Sequence, residues 1–167
     1  VSSRMAALVV SACSTAGRSA VTANLCYRAT LEAIALIERD GMMLLERRVD
    51  APVWSFIAGS VEDTETLIEA LRREVLEETG LIVSGCQLFG TFTDPTRIIS
   101  YSDGNVVRFA SFAYSVEVES FDSLQVSDES EELRFFLDTE LYELAMPATQ
   151  RPVVERLLSG DRPPHLE

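Results

Sequence analysis

A helix with both ends marked fixes the middle of this chain. Thr66 is followed three residues later by Glu69, the spacing of a capping box in which each side chain satisfies a free backbone N–H. Gly80 supplies the stop, because a position just past a helix favours glycine for its left-handed conformation. The spacing therefore predicts a helix over 67–79. Runs with strand character lie on both sides of it. Residues 31–37 and 43–47 flank Arg39-Asp40-Gly41, an Asp-Gly turn that reads as a β-hairpin, and 54–57 is a further short strand. After the helix, 88–92, 98–101 and 106–118 read as strands, the last two joined by a second Asp-Gly hairpin at Ser102-Asp103-Gly104-Asn105. An acidic loop over 119–132 precedes a strand at 133–137. Thr149 is expected to cap a closing helix that holds Pro152 in its first turn and stops at Gly160. This order predicts an α+β fold, an α/β/α sandwich around a mixed β-sheet.

At 167 residues the chain reads as one domain over 30–160, with an N-terminal extension at 1–29 and a tail at 161–167. A chain of this length can bury about 70 % of its unfolded surface without a metal or disulfide staple. The extension carries little periodic pattern. Its short apolar run at 5–13, with Arg4 before it and Cys13 at its end, is short for a signal peptide, so an added strand or a loose extension is expected. Cys13, Cys26 and Cys86 are odd in number and widely spaced, which reads as three reduced thiols in a reducing, cytoplasmic setting. No apolar run is long enough to span a membrane.

Charge and residue types narrow the chemistry. Fourteen basic against 27 acidic side chains leave a net charge of −13, which argues against long nucleic acid and against an anionic membrane as partners. A small anion remains acceptable where cations or a few arginines screen the repulsion. All 14 basic residues are arginine, so Schiff-base lysine chemistry and the P-loop lysine are excluded. His165 is the single histidine and is expected in a solvated tail, which removes Ser–His–Asp triads, Cys–His pairs and H-E-x-x-H zinc sites. Carboxylate, arginine and metal remain.

Glu74, Glu77 and Glu78 fall within an arc of about 100° on the helix, so three carboxylates share one face. Like charges at these spacings repel by a few tenths of a kcal/mol. Two readings are open: a solvated acidic face, or hard oxygen ligands for Mg2+ or Mn2+. The surroundings favour the second. Gly59, Glu65, Arg73, Glu74, Val75, Glu77, Glu78, Gly80 and Leu81 fit one template: G, five residues, E, seven residues, R-E-U-x-E-E-x-G-U, with U aliphatic. Nine specified positions would match by chance at a rate well below about one in a million.

This stretch, 59–81, resembles the Nudix box, and the order of elements from about 31 to 158 is similar to a whole Nudix hydrolase domain. The resemblance implies hydrolysis of a nucleoside diphosphate linked to another group, with divalent metal and water. It implies that Glu77 and Glu78 bind Mg2+ or Mn2+, with Glu74 as a further ligand or as the base that activates water. Arg73 would orient the glutamates, Glu65 would complete that network, and the Gly59 carbonyl would face the metal. Family members often take a further acidic ligand from a loop before a late strand. The run 127–136 fits that pattern, with Glu129 as the chosen residue. One departure is visible: Ala58 stands where members commonly have a second glycine.

The physics agrees with the resemblance, since a carboxylate-held metal can stabilise phosphoryl oxygens and lower the pKa of bound water. Arg48 and Arg97 are the leading candidates for phosphate contacts, with Arg47 and Arg108 behind them, because guanidinium clamps phosphate oxygens in pairs. Trp54, Phe56, Phe135 and Phe136 read as core rather than as base-stacking platforms. The expected substrate is a small nucleotide: ADP-ribose, a nucleotide sugar or a damaged (d)NTP. Pro95, 14 residues past the box, lies close to where ADP-ribose-cleaving members often have a proline. A non-hydrolytic nucleotide sensor on the same fold is the alternative, though a binding module has no need of three mutually repelling carboxylates. An isopentenyl diphosphate isomerase would need histidine ligands that His165 alone cannot supply. A homodimer is left open.

Overall fold

Asp40 and Gly41 have φ of 54° and 75°, the pair of positive values that a two-residue hairpin turn requires to match strand twist. That turn joins the two longest-reaching elements of the first half of the chain. The computed structural model describes residues 7–8, 27–50, 52–101, 106–161 and 163–166. In chain order the elements begin with β1 (Ala7–Leu8), β2 (Tyr27–Arg39), β3 (Met42–Arg48), β4 (Trp54–Ser55) and β5 (Ile57–Ser60). Helix α1 (Leu67–Thr79) follows, then β6 (Val83–Phe92), β7 (Ile98–Tyr101), β8 (Val106–Val118) and β9 (Ser130–Leu137). A short α2 (Asp138–Leu141) and α3 (Arg151–Leu158) complete the order.

The sheet is mixed. β2 runs parallel to β8 over Tyr27 to Ile37 and antiparallel to β5 over Glu32 to Ala35. β6 and β7 both pair antiparallel with β8, and β1 pairs with β7. Past the hairpin, β3 lies between β4 and β9, antiparallel to each. Side chains alternate across the pleat and so build two cores. Ala33, Ala35, Ile37 and Leu44 pack with Leu71 and Val75 of α1, while Ile34, Leu36, Met43 and Leu45 pack with Val153 and Val154 of α3. Helices therefore cover opposite faces, and the α+β fold with a mixed sheet is the observed one. No helix among the described residues is long and apolar enough to cross a membrane.

Several expectations are corrected. The run 54–57 is not one strand: Trp54 and Ser55 pair with β3, whereas Ile57 begins the pairing with β2. Phe56 sits at the switch, and its N–H donates to Gln150 Oε1 at 2.8 Å. Thr149 is not the cap of α3. Gln150 holds that position without a side-chain cap bond, because its amide is spent on Phe56. His165 is not in a solvated tail: its N–H donates to the Phe89 carbonyl at 2.9 Å and its carbonyl accepts from Thr91 N–H at 2.8 Å. Gly90 makes that approach feasible, since a Cβ there would lie 2.9 Å from the His165 Cβ and carbonyl oxygen. β2 starts at Tyr27, inside the segment read as an extension, and β9 starts at Ser130, inside the loop read over 119–132. Phe56 and Phe136 are core as expected, with the Trp54 ring edge-on to Phe136 at 4.7 Å. The Ser102–Asn105 turn and the thiols of Cys13 and Cys26 lie outside the described residues.

Candidate active site

Both ends of α1 form as the sequence marks them. Thr66 N–H donates to Glu69 Oε2 at 2.8 Å, Glu69 N–H donates to Thr66 Oγ1 at 3.3 Å, and Gly80 adopts φ 71°. These ends fix the phase of the helix. Ala70, Leu71 and Val75 then face the core, and Glu74 and Glu78 follow on the edge of the same stripe.

β5 passes directly over that edge. A Cβ built on Gly59 would lie 1.8 Å from Glu74 Oε1 and 2.5 Å from its Cγ, so the absent side chain is the room Glu74 occupies. Ala58 pairs with Ile34 and packs into the core on the α3 side. Its methyl group therefore points away from Glu74, and the departure at 58 leaves the glutamate's seat unchanged.

Arg73 ties the segment together. Its Nε and Nη2 donate to the two Glu65 oxygens at 3.0 and 2.7 Å, a bidentate pair, and Nη2 also donates to the Ser60 carbonyl at 3.1 Å. Nη1 donates to Glu74 at 2.7 Å and to Glu77 at 3.2 Å. One guanidinium thus fixes the loop before α1 and two of its three clustered carboxylates. It holds the Glu65 carboxyl below the usual carboxylate range. Burial has the opposite effect on Glu74 and raises it despite Arg73.

Glu78 is the exception among the three. It is 5 % exposed, and its Oε2 is buried without a hydrogen-bond partner among the described residues. Burial, then the negative charges of Glu46 and Glu74, push its carboxyl well above the ordinary range. Leaving a buried carboxylate oxygen unmatched costs on the order of 1–3 kcal/mol, so such an atom in a native fold calls for a reason.

Sequence reasoning missed Glu46. It is 1 % exposed on β3 and accepts from Ser55 Oγ at 3.1 Å, from Arg48 Nη1 at 3.4 Å and, closely, from Ser130 Oγ. The signal was the strand alternation itself, since Glu46 shares a face with the buried Leu44 two residues before it. Glu129 lies in the exposed turn just before Ser130, and its charge is felt at Glu46, Glu74 and Glu78. The structure thus brings Gly59, Arg73, Glu74, Glu77, Glu78 and Glu129 to one region.

The two arginines separate. Arg48 stands beside the cluster, paired through Nε and Nη2 with Asp50 at 2.8 and 3.0 Å, and its charge reaches Glu78. Arg97 is 4 % exposed. It donates to Ser111 Oγ at 2.6 Å and to the Thr149 carbonyl, and it lies 3.9 Å from Glu32. Its guanidinium serves the interior, not an open phosphate-binding face.

The donors at the cluster are carboxylates, the kind of oxygen a hard divalent cation takes. The unmatched Glu78 Oε2 fits such a cation. Among the described residues no three of these side chains are already gathered as a metal-holding group. Glu74 and Glu77 are instead turned to Arg73.

A family model described as the NUDIX domain matches residues 28–157. Among curated proteins, an RNA pyrophosphohydrolase of Xylella fastidiosa is 46 % identical over 57 residues, 34 % of this chain and 30 % of that protein. The nucleoside triphosphatase NudI of Salmonella heidelberg is 42 % identical over 76 residues, covering 41 % of this chain and 53 % of that protein. The chain thus spans about a third to a half of these relatives. A NUDIX hydrolase structure from Nitrosomonas europaea superposes with a TM-score of 0.64 at 26 % identity, covering 81 % of this chain and 92 % of that one. The MutT protein of Bacillus halodurans superposes at 0.62 with 23 % identity, over 81 % and 86 % of the two chains, which speaks to fold alone.

Proposed function

The chain belongs to the NUDIX family, and on that footing we propose that it is a divalent-metal-dependent pyrophosphohydrolase. Its substrate is a small nucleotide in which a nucleoside diphosphate is linked to another moiety: ADP-ribose, a nucleotide sugar or a damaged (d)NTP. The observation that carries this reading is Glu78, a buried carboxylate with an unmatched oxygen beside Glu74 on the same helix edge. A sensor that only binds nucleotide has no use for that buried, unmatched carboxyl oxygen.

Glu77 and Glu78 are the proposed ligands of Mg2+ or Mn2+, joined by the Gly59 carbonyl, Glu129 from its turn, and Glu74 either as a further ligand or as the acceptor of the attacking water's proton. When bound, the cation would supply Lewis-acid stabilisation of phosphoryl oxygens and a more acidic water. The chain's own residues do the rest. Arg73 holds Glu74 and Glu77 at the helix edge and, through Glu65 and the Ser60 carbonyl, keeps the Gly59 loop against them. Burial raises Glu74, which moves it toward the strength a proton acceptor needs near neutral pH. Arg48 is the proposed phosphate contact, because its side chain is 30 % exposed and its charge reaches Glu78. Arg97, spent on interior partners, is left out of that role.

The two curated relatives are named for different substrates, RNA and a nucleoside triphosphate. The net charge of −13 favours the small nucleotide here. Phosphate and pyrophosphate release from ADP-ribose, nucleotide sugars, (d)NTPs and a 5′-triphosphate oligonucleotide, each with and without Mg2+, tests the proposal. Turnover of a small nucleotide that requires Mg2+ supports it. Binding without turnover across the panel would favour the sensor.

A further inference from the structure

Resting on that reading of the site, we infer that Glu46 is a positioning residue that sets the Glu129 turn and Glu78 against one another for a divalent cation. Glu46 reaches three strands from one carboxylate. It accepts from Ser55 of β4 at 3.1 Å, from Ser130 at the first residue of β9, and from Arg48 of its own strand at 3.4 Å. The β9 contact exists because of a bulge. Arg47 faces Glu132 across the ladder but Arg48 faces Ser130, so Glu131 is stepped over. A bulge re-aims the side chains beyond it. Here Ser130 comes inward, 5 % exposed, onto Glu46, and Glu131 turns to the half-buried Arg47 at 3.2 Å.

The residue before Ser130 is Glu129. Its carbonyl accepts from Val49 N–H at 3.0 Å, and its N–H donates to Ser127 Oγ at 3.2 Å. The Glu46–Ser130 bond and the Val49 bond therefore pin the carbonyl side of Glu129 to β3 and the residue after it, while Ser127 holds its N–H side. Glu129 is exposed, and its charge acts on Glu74 and Glu78. On the helix side, Glu78 is buried with an unmatched Oε2, and the charges of Glu46 and Glu129 both act on it. Glu46 is thus the joint between the two proposed ligands that come from different parts of the chain. Its buried charge also lies near enough to act on Glu78 directly. That charge opposes Glu78 in the empty protein and favours a cation once one is bound.

The test is Mn2+ affinity, read by the EPR signal of free Mn2+, together with the melting temperature of the metal-free protein. Glu46→Gln keeps the shape but removes the charge and one acceptor. It is expected to weaken Mn2+ binding by about tenfold or more while leaving the metal-free melting temperature unchanged or raised. Ser130→Ala, which cuts the link to the Glu129 turn and leaves the Glu46 charge, is expected to weaken Mn2+ binding as well, by less. If Glu46→Gln lowers the melting temperature and leaves affinity within twofold of the wild type, Glu46 serves only the fold and the inference is overturned. Should Glu46→Gln fail to fold, Ser130→Ala decides alone, and unchanged affinity there overturns it. A wild-type protein that binds no Mn2+ would overturn the metal-dependent reading of the site along with this one. Intact wild-type binding with unaffected variants would overturn this one alone.

Discussion

Adding one methyl group at Gly59 should separate the folding role of α1 from its chemical role. The new Cβ would lie 1.8 Å from Glu74 Oε1, 1.9 Å from Cδ and 2.5 Å from Cγ, where carbon contacts normally start near 3.5 Å. The near atoms belong to the end of a flexible side chain, so the strand can stay in place while Glu74 swings by roughly 1–2 Å. That swing breaks the 2.7 Å contact with Arg73 Nη1. A charge-assisted hydrogen bond contributes about 1.5–3 kcal/mol, less where partly exposed, and Arg73 is 26 % exposed. Gly59→Ala should therefore cost about 1–2 kcal/mol, a drop of about 2–8 °C in melting temperature for a chain of this size. A carboxylate misplaced by about 1 Å should lower kcat about 10²-fold. The decisive assay is a double-mutant cycle by thermal melts. In a Glu74→Ala background the obstructing atoms are gone, and Gly59→Ala should cost less than about 0.5 kcal/mol. An equal cost in both backgrounds would refute the reasoning, because the clash would then be with something other than Glu74. Activity within threefold of wild type would refute the role given to the Glu74 position.

Three further outcomes follow from the same contacts. Leu71 is 1 % exposed, so Leu71→Ala should cost about 2–5 kcal/mol in urea unfolding, with Mn2+ affinity unchanged in the folded protein; a cost below about 1 kcal/mol would contradict its place in the core. Glu77 is 60 % exposed in its i,i+4 pair with Arg73. Glu77→Gln should therefore move the metal-free stability by less than about 0.5 kcal/mol and blunt the rise in melting temperature that Mg2+ gives the wild type; a loss above about 1 kcal/mol would make Glu77 a fold residue. Burial raises Glu32 although Ser111 and Arg97 oppose it. A raised carboxylate favours folding fully below the ordinary value of about 4.3 and loses that contribution as pH climbs through the folded value. Glu32→Gln should thus flatten the fall in stability above about pH 4.3, and an unchanged slope in chemical denaturation would contradict the burial of this charge.

What the sequence made legible was local. Thr66, Glu69 and Gly80 set the ends of α1 through contacts within four residues, and Asp40-Gly41 sets a turn through its own φ angles. The template from Gly59 to Leu81 foretold the Arg73–Glu65 pair because loop and helix are adjacent in the chain. What escaped depended on distant partners. Arg97 sits in a stretch whose Asp94 and Thr96 form an ordinary exposed turn, yet Ser111, Thr149 and Glu32 draw it inside from 14, 52 and 65 positions away. Phe56 ends β4 early for the sake of Gln150, 94 positions on. His165 docks on Phe89 and Thr91 through backbone atoms that no side-chain pattern announces. Glu46 lay between these cases: alternation aimed it inward, but the serines that make its burial tolerable come from β4 and from beyond a bulge in β9.

Glu78 gives the most direct test of the central claim. On whichever nucleotide the wild type turns over, EDTA should abolish hydrolysis and added Mg2+ or Mn2+ should restore it, while Glu78→Gln, folded and equally soluble, should lose at least about 10³ in kcat at saturating Mg2+. Metal-independent turnover, or a loss of tenfold or less in Glu78→Gln, would contradict the account.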